Sequence, residues 1–297
     1  MEIFDFNLNY KLDNKKERII VLGKFNSFHL GHQKLLAKGC HEAKQTNKDL
    51  IIMIYPNGPK DNFFSFSDRL FLLKQYLPNY IMIFNPTLAN YALSRETFLE
   101  FLKTNLNVTD VVVGNNFSFG KNKFDDFEVI KKYTILHLIK EVYYKKTIIS
   151  SSKILEEIKT GYVSEIKKAL GFNWFLSGEV IYGEGNGKKL GTPTANVEIP
   201  SSIVSPREGA YVSLTTIAGK KYPSVSSFMS NLFFDAKEVT FETHLLNQDL
   251  DLYGKVIYVE LLSFLHEPIK WNSFSDGVAA LEKDKKDGKK YFALHNL

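Results

Sequence analysis

The stretch that decides the fold of the first half of the chain is Val21-Leu22-Gly23-Lys24-Phe25-Asn26-Ser27-Phe28-His29-Leu30-Gly31-His32. An apolar run from Ile19 precedes it and a helix-compatible segment, Gln33 to Lys38, follows it, which predicts a strand, a tight loop and a helix start. The first turn of a helix attracts anions, because it combines free N–H groups with the positive end of the helix dipole. Two histidines at this place predict donors to phosphate oxygens, and as imidazolium they could offset charge during nucleotidyl transfer.

An isolated pair of histidines with this spacing is also typical of a polar surface turn. The glycines favour the anion site, because Gly23 closes the strand and Gly31 lets a ligand approach the backbone. The pattern G-x-F-x-x-x-H-x-G-H resembles the signature of the HxGH nucleotidyltransferases, which attack the α-phosphate of a nucleoside triphosphate and release pyrophosphate. The resemblance implies that the stretch binds ATP phosphates through Gly23, Phe25, Asn26 and Gly31, with His29 and His32 as catalytic residues.

The composition limits the class of protein. A chain of 297 residues is long enough for about two domains, and 44% hydrophobic with 24% charged residues is ordinary for a soluble globular protein. No apolar stretch approaches the length of a bilayer span, and Met1 to Asp5 do not resemble a signal peptide. The one cysteine, Cys40, indicates a reducing cytoplasm and is expected to be a buried structural thiol. A net charge of +5 without a clustered basic face suits small anionic substrates, so we expect neither nucleic acid nor a membrane as a partner.

The first half of the chain alternates short apolar runs with helix-length segments, which predicts a parallel sheet with helices on both faces. The predicted strands are Ile19 to Leu22, Leu50 to Tyr55, Tyr80 to Phe84, Val111 to Val113 and Thr134 to Ile139. The predicted helices are Gln33 to Gln45, Asp68 to Leu77 after a Ser67 cap, and Arg95 to Leu106 after a Ser94 cap. Ligands of such folds bind at the carboxyl ends of the strands, where the histidine motif lies.

Two further groups follow. Gly114 to Lys121 places amides and aromatics at the end of the fourth strand, so Asn116, Phe117 and Phe119 are candidates to surround a flavin or adenine ring. The alternative is a turn anchored by two core phenylalanines. Ser150-Ser151-Ser152-Lys153 opens a helix, where hydroxyl groups are usually caps and, beside a lysine, can also hold phosphates.

These three groups, in this order, resemble the adenylyltransferase module of bacterial bifunctional riboflavin kinase/FAD synthetases. The family patterns are G-x-F-D-G-x-H-x-G-H, G-x-D-F-x-F-G and S-S-T-x-I-R. This chain departs from them at five positions, which are Asn26 and Ser27 for Asp-Gly, Asn116 for Asp, Ser152 for Thr and Leu155 for Arg. The loss of that guanidinium removes a bidentate phosphate donor, although Lys153 supplies a point charge nearby.

The pattern changes to β after a short predicted helix with a glycine stop, Tyr162 to Gly171. The predicted strands are Phe175 to Ile181, Ala210 to Ile217, Tyr222 to Ser226, Val239 to Leu246 and Val256 to Phe264, which indicates an antiparallel barrel or sandwich. A helix from Asp276 to Tyr291 closes the chain. We therefore expect an adenylyltransferase domain at 1–160, a linker helix at 161–174 and a second domain at 175–297.

The chemistry of the second domain is expected between Gly178 and Asn196. A glycine-rich loop with Lys188 and Lys189 can hold phosphates, and Thr194 and Asn196 would direct both oxygens to one hard cation if the segment is extended. A plain turn is the alternative. The segment resembles the P-T-A-N motif of riboflavin kinases, which fold as six-stranded barrels. The resemblance implies that Gly187, Lys188 and Gly191 bind ATP and that Thr194 and Asn196 hold Mg²⁺.

Glu242, in Glu242-Thr243-His244-Leu245-Leu246, matches the catalytic glutamate of that family. A carboxylate there could accept the proton of the riboflavin 5′-hydroxyl as the γ-phosphoryl group moves, whereas the alternative is a strand residue that faces solvent. The chain also departs from the family at Thr192, Lys188 and His266, where Phe, Arg and Arg are usual.

The sequence as a whole predicts a cytoplasmic bifunctional enzyme, a monomer or weak homo-oligomer. It would phosphorylate riboflavin to FMN with MgATP and adenylylate FMN to FAD with a second ATP. Two alternatives stay open: a riboflavin kinase with a degenerate N-terminal domain, and a non-catalytic flavin or nucleotide sensor.

Overall fold

The structure is a computed structural model that describes residues 1–117, 127–182, 194–230, 239–248, 250–271 and 273–296. The chain forms two compact units. The first consists of Met1–Gly58 and Phe66–Ser151, and the second of Pro59–Ser65 and Ser152–Leu297.

The first unit is built on a six-stranded parallel sheet. Its strands are β1 (Glu2–Asp5), β2 (Arg18–Leu22), β3 (Asp49–Ile54), β4 (Tyr80–Ile83), β5 (Val108–Gly114) and β6 (Ile135–Ile139). They lie in the order β1-β4-β3-β2-β5-β6, and every neighbouring pair is parallel. Strands β2 and β3 are buried along their whole length, as a sheet covered on both faces requires. The predicted parallel α/β fold is confirmed.

Helices connect these strands. They are α1 (Leu30–Gln45), α2 (Phe66–Lys74), α3 (Leu88–Tyr91), α4 (Arg95–Thr104) and α5 (Phe127–Tyr133). The Ser94 cap is confirmed, because its side chain accepts a hydrogen bond from Thr97 N. The Ser67 cap is wrong. Helix α2 already begins at Phe66, so Ser67 lies inside its first turn. Cys40 is partly exposed, so the expectation of a buried thiol is also wrong.

A small hairpin and two helices follow the sheet. The hairpin pairs β7 (Tyr143–Tyr144) with β8 (Thr147–Ile148), and the helices are α6 (Ser151–Thr160) and α7 (Val163–Leu170). Helix α7 ends as predicted at Gly171, whose φ of 76° is the left-handed conformation that glycine adopts most easily.

The second unit contains a closed six-stranded barrel. Its strands are β9 (Phe175–Ile181), β10 (Ala195–Val197), β11 (Gly209–Ile217), β12 (Lys220–Ser230), β13 (Val239–Leu245) and β14 (Val256–His266), in the order β10-β13-β12-β11-β14-β9. Every pair is antiparallel, and β9 also pairs with β10, which closes the barrel. Helix α8 (Phe274–His295) begins with a Ser273 capping box, and its Phe292 packs in a hydrophobic cluster with Val212, Val225, Leu246 and Leu262. The barrel predicted from the family resemblance is confirmed.

The interior of the barrel holds a ring of five buried hydroxyl groups. Ser213, Ser224, Thr215, Thr243 and Ser226 are hydrogen-bonded in that cyclic order, with oxygen–oxygen distances between 2.7 and 3.2 Å. Five hydroxyl protons are therefore available for five hydrogen bonds, so each group can donate one and accept one. Such full pairing removes the cost of burying five polar groups in an apolar core.

The segment Pro59–Ser65 belongs to the second unit although it leaves from the end of β3. The backbone of Asn62 pairs with Ile203, and the indole Nε1 of the buried Trp174 donates to the carbonyl of Phe63 over 3.0 Å. The ring of Phe64 packs on that of Phe175, with 5.1 Å between the centroids. The segment thus contributes both hydrogen bonds and apolar contacts to the core of this unit.

Candidate active sites

The first candidate site lies where the order of strands reverses in the parallel sheet. From β2 the chain proceeds to β3 on one side and later returns to β5 on the other side. Loops that leave the carboxyl ends of such neighbouring strands diverge and form a crevice, which is the usual ligand site of open α/β sheets. The loop after β2 carries the histidine motif, and the loop after β5 carries Asn115, Asn116 and Phe117.

The loop after β2 is held in an unusual backbone conformation. Phe25 and Phe28 both have positive φ angles, 48° and 55°, although neither is a glycine. Both side chains are completely buried, and the Phe25 ring lies over Gly23, where an added Cβ would be 2.7 Å from the ring. Burial of the two rings therefore compensates for a backbone conformation that costs of order 1 kcal/mol or more per residue.

The two histidines form one stacked pair at the start of α1. Their ring centroids are 3.8 Å apart, and the planes differ by 9°. His29 is the N-cap residue, and its Nδ1 accepts a hydrogen bond from the backbone N–H of His32 over 3.2 Å. A Cβ at Gly31 would lie 2.9 Å from His29 Cε1, so the missing side chain at Gly31 makes room for the His29 ring. The bare position also leaves the free N–H groups of this turn accessible.

Both imidazoles are neutral at pH 7. Burial lowers the pKa of His29 from 6.5 to about 4. Burial, the neighbouring His29 and the guanidinium of Arg69 together hold the pKa of His32 well below its usual range. Nδ1 of His32 is buried and has no hydrogen-bond partner among the described residues. Without a bound anion the pair therefore presents neutral ring nitrogens, and an approaching phosphate would favour their protonation.

Two of the motifs predicted to bind phosphate meet in this unit. The hydroxyl groups of Ser27 and Ser151 are 2.7 Å apart, and Ser151 Oγ also donates to Asn26 Oδ1 over 3.4 Å. Asn26 additionally accepts from the backbone N–H of Ser27, which is fully buried. Asn26 and Ser27, which depart from the family pattern, thus bind the serine motif. Ser152 and Lys153 follow Ser151 in the first turn of α6, and both are exposed.

Sequence reasoning missed Arg69, which is 2% exposed. Its guanidinium donates to the carbonyl oxygens of Lys24 and Tyr55 over 2.8 Å each, to Asn57 Oδ1 over 2.8 Å, and to the carbonyl of Phe25 over 3.3 Å. A signal was present, because Arg69 directly precedes the apolar run Leu70-Phe71-Leu72-Leu73.

For the loop after β5, the structure is consistent with only part of the predicted ring-binding site. Asn116 is exposed, as a ligand-binding amide would be, whereas Phe117 packs against the hydrophobic core of the first unit. For Phe117 the structure favours the alternative interpretation of an anchored turn. Phe119 lies outside the described residues.

The second candidate site lies on the barrel, where β10 and β13 pair. Thr194 Oγ1 donates to Glu242 Oε2 over 2.9 Å, and Asn196 stands directly opposite Glu242 in the antiparallel register. Directly opposed residues project from the same face of a sheet, so these three polar side chains share one surface. Thr240 Oγ1 lies 3.5 Å from Glu242 Oε1 and completes the group.

The donor set of this group fits a hard cation. The Thr194 proton is given to Glu242, so the hydroxyl lone pairs remain available beside the carbonyl oxygen of Asn196. Uncharged oxygens and few protein ligands suit Mg²⁺ that is also bound by phosphates. In the part of the chain that the structure describes, no cluster of three or more His, Cys, Asp or Glu residues offers a separate metal site. Gly187, Lys188 and Gly191 lie outside the described residues.

Comparisons with known proteins match one family to each half of the chain. The riboflavin kinase family matches residues 170–292, and the FAD synthetase family matches residues 11–153. The chain belongs to the bifunctional riboflavin kinase/FMN adenylyltransferase family. The family matches place the histidine pair in the FAD synthetase part and Glu242 in the riboflavin kinase part.

Members of this family align over most of their length. The bifunctional riboflavin kinase/FMN adenylyltransferase of Bacillus subtilis is 26% identical over 95% of this chain and 94% of its own. The protein of the same description from Escherichia coli K12 is 24% identical over 93% of both chains. The crystal structure of a macrolide-efflux protein from Streptococcus pneumoniae has a TM-score of 0.86 at 24% identity, covering 97% of this chain and 98% of its own, which shows a shared fold. None of the described helices is both long and apolar enough to cross a membrane.

Proposed function

We propose that this protein makes FAD from riboflavin in two steps. The barrel transfers the γ-phosphoryl group of ATP to riboflavin, and the α/β unit transfers the adenylyl group of a second ATP to FMN. The family membership supports both activities. The observation that carries the proposal is the pairing of Thr194 with Glu242 opposite Asn196, because an aligned carboxylate and two cation ligands serve catalysis rather than simple binding.

In the kinase step, the 5′-hydroxyl oxygen of riboflavin attacks the γ-phosphorus and ADP leaves. Glu242 accepts the hydroxyl proton, and the Thr194 hydroxyl group orients the carboxylate through its 2.9 Å hydrogen bond. Thr194 and Asn196 would hold Mg²⁺, which when bound neutralises charge on the phosphate oxygens. We assign ATP binding at this site to Gly187, Lys188 and Gly191 as well.

In the adenylyl step, a phosphate oxygen of FMN attacks the α-phosphorus of ATP, and pyrophosphate leaves as the bond to the β-phosphate breaks. The attacking group is already an anion, so this step needs no general base. His29 and His32 donate to the triphosphate, together with the free N–H groups of the α1 terminus. Gly23, Phe25, Asn26, Gly31, Ser151, Ser152 and Lys153 form the phosphate side, and Asn116 and Phe119 the ring side.

A second candidate function is riboflavin kinase activity alone. It is favoured by Leu155, which replaces the arginine of the family pattern, and by the hydrogen bonds that occupy Asn26 and Ser27. We divide the activities as 1–160 for adenylyl transfer, 161–174 for the linker and 175–297 for the kinase. We further propose a cytoplasmic monomer or weak homo-oligomer, because both substrates and the lone cysteine suit that compartment.

One assay tests these functions. The protein is incubated with riboflavin and MgATP, and riboflavin, FMN and FAD are separated by chromatography. FAD formation supports the full proposal, and FMN as the final product supports the kinase alone. If neither riboflavin nor separately supplied FMN is converted, both catalytic proposals are wrong and a non-catalytic flavin or nucleotide sensor is the interpretation that stays.

The two steps are then assigned by variants. His29→Ala should lower FAD formation from supplied FMN by roughly 10²-fold, as expected for the loss of one charge-stabilising donor, and should leave FMN formation unchanged. Equal FAD formation by His29→Ala and the unmodified protein would contradict the assignment of the histidine pair.

A further inference from the structure

Arg69 is a buried cation whose hydrogen-bond partners among the described residues are uncharged. In the part of the chain that the structure describes, no carboxylate forms an ion pair with its guanidinium. Its four acceptors are three backbone carbonyls and the side-chain oxygen of Asn57. Burial alone lowers its pKa, to about 10, so the group remains charged at pH 7. A buried, uncompensated charge is costly, and its retention calls for a reason other than stability.

The hydrogen bonds of Arg69 explain how the loop after β2 keeps its conformation. Two donors reach the carbonyls of Lys24 and Phe25, and Phe25 is one of the two positive-φ residues of this loop. The other two reach Tyr55 and Asn57, which follow β3. The planar fork of arginine therefore ties together two loops at the carboxyl ends of neighbouring strands, a geometry that lysine cannot reproduce.

The charge of Arg69 also acts on the histidine pair. Arg69 is one of the groups that hold His32 in its neutral form, which means that the field of the guanidinium extends to that ring. The same field attracts an anion bound beside the histidines, and solvent screens it less in a buried site than at the surface. Since both histidines are neutral before the anion arrives, Arg69 is a fixed source of positive charge at this end of the sheet.

We propose that Arg69 is a positioning residue for adenylyl transfer, which fixes the loop carrying Asn26 to His29 and supplies the buried positive charge that favours the triphosphate and the leaving pyrophosphate. This inference rests on the adenylyl-transfer function proposed above. Arg69 acts through the loop and through its field, and the anion itself is held by the histidine motif.

Three variants separate these contributions. Arg69→Met removes both the positive charge and the hydrogen-bond donors. Arg69→Lys keeps the charge but lacks the planar set of guanidinium donors. Arg18→Met is the matched control, because Arg18 is 1% exposed and bonds to the carbonyls of Asp13 and Leu106. It lies at the opposite end of β2, roughly 13 Å from the loop at the usual rise of a strand.

The first measurement is the affinity for magnesium pyrophosphate by calorimetry. We expect Arg69→Met to weaken binding at least tenfold, and Arg69→Lys and Arg18→Met to stay within threefold of the unmodified protein. The second is FAD formation from FMN, which should fall about 10²-fold in Arg69→Met and about tenfold in Arg69→Lys, mainly in kcat. FMN formation should not change in any variant.

Unchanged pyrophosphate affinity in Arg69→Met, or an equal loss in Arg18→Met, would overturn the inference. Failure of the proposed function looks different, because the unmodified protein would then make no FAD from FMN. The pyrophosphate affinities would still decide whether Arg69 supplies charge to an anion site.

Discussion

The hydroxyl group of Thr194 donates to the Glu242 carboxylate over 2.9 Å. This hydrogen bond fixes Oε2 of the carboxylate that we propose accepts the proton of an incoming hydroxyl group. Glu242→Gln keeps the shape and the acceptor for Thr194 but cannot take up a proton. We expect riboflavin phosphorylation to fall 10²-fold or more, as is usual for loss of a general base, and FMN adenylylation to continue. Chromatographic rates of FMN and FAD formation check both halves of this prediction, and unaffected FMN formation would contradict the base assignment.

Gly31 should be required for adenylyl transfer and dispensable for the fold. In Gly31→Ala the new methyl group would lie 2.9 Å from His29 Cε1, so the imidazole must move out of its stack on His32. Alanine is the better helix former by up to about 1 kcal/mol, which offsets part of the strain. We expect FAD formation to fall at least tenfold while the melting temperature changes little. A variant that makes FAD at the normal rate would show that the stacked geometry is unimportant.

The first unit should lose stability as the pH falls from 6.5 towards 4. In the unfolded chain His29 takes up a proton below its ordinary pKa of 6.5, whereas in the folded protein it does so only near 4. The unfolded state therefore binds more protons in this window, and the free energy of unfolding decreases on acidification. A protonated Nδ1 also cannot accept from His32 N, so the cap of α1 is lost.

His29→Asn tests this directly, because asparagine is a strong N-cap that does not titrate in this range. Between pH 7 and pH 5 the unmodified protein should lose about 1–2 kcal/mol more stability than the variant. Denaturant unfolding followed by far-UV circular dichroism measures the unfolding of the whole chain. Both tryptophans, Trp174 and Trp271, belong to the second unit, so their fluorescence reports its transition separately. Equal acid sensitivity of the two proteins would contradict the prediction.

The hydroxyl ring should matter for stability and not for chemistry. Ser224→Ala removes one member and leaves Ser213 and Thr215 each with one hydrogen bond fewer in a dry core. We expect a loss of about 1–3 kcal/mol in the tryptophan-monitored transition, the usual cost of an unsatisfied buried polar group. Ser263→Ala on β14 is the matched control, since its hydroxyl makes only a marginal 3.5 Å hydrogen bond. A loss no larger than that of the control would show that the ring is not a cooperative network.

The long, strongly patterned elements could be predicted from the sequence. The run Ile19 to Leu22 is one residue shorter than the observed β2, and Phe175 to Ile181 coincides with β9. The short elements could not. Strand β1 has four residues and β10 only three, and both depend on pairing with distant strands rather than on local pattern. The predicted Ser67 cap was wrong because the helix begins one residue earlier, at Phe66.

The sequence identifies those candidate site residues that belong to recognisable motifs. The histidine pair stands out by residue type and spacing, and Thr194 and Glu242 stand out through the resemblance to riboflavin kinases. Arg69 does not, because its role comes from carbonyls on two loops that are separated in sequence and brought together by the sheet. The hydrogen bond between Ser27 and Ser151, which are 124 positions apart in the chain, likewise depends on the folded structure and cannot be predicted from a local motif.

The Pro59–Ser65 segment has a consequence for how this protein can be divided. Since these seven residues complete the core around Trp174, no single cut in the chain yields both units intact. A gene fragment that encodes residues 152–297 would lack the carbonyl acceptor of Phe63 and the ring of Phe64. The kinase half should therefore need this peptide in trans, or a graft of it, to reach full stability. During synthesis the segment emerges long before the barrel, so its apolar residues stay without their partners until the barrel has been translated.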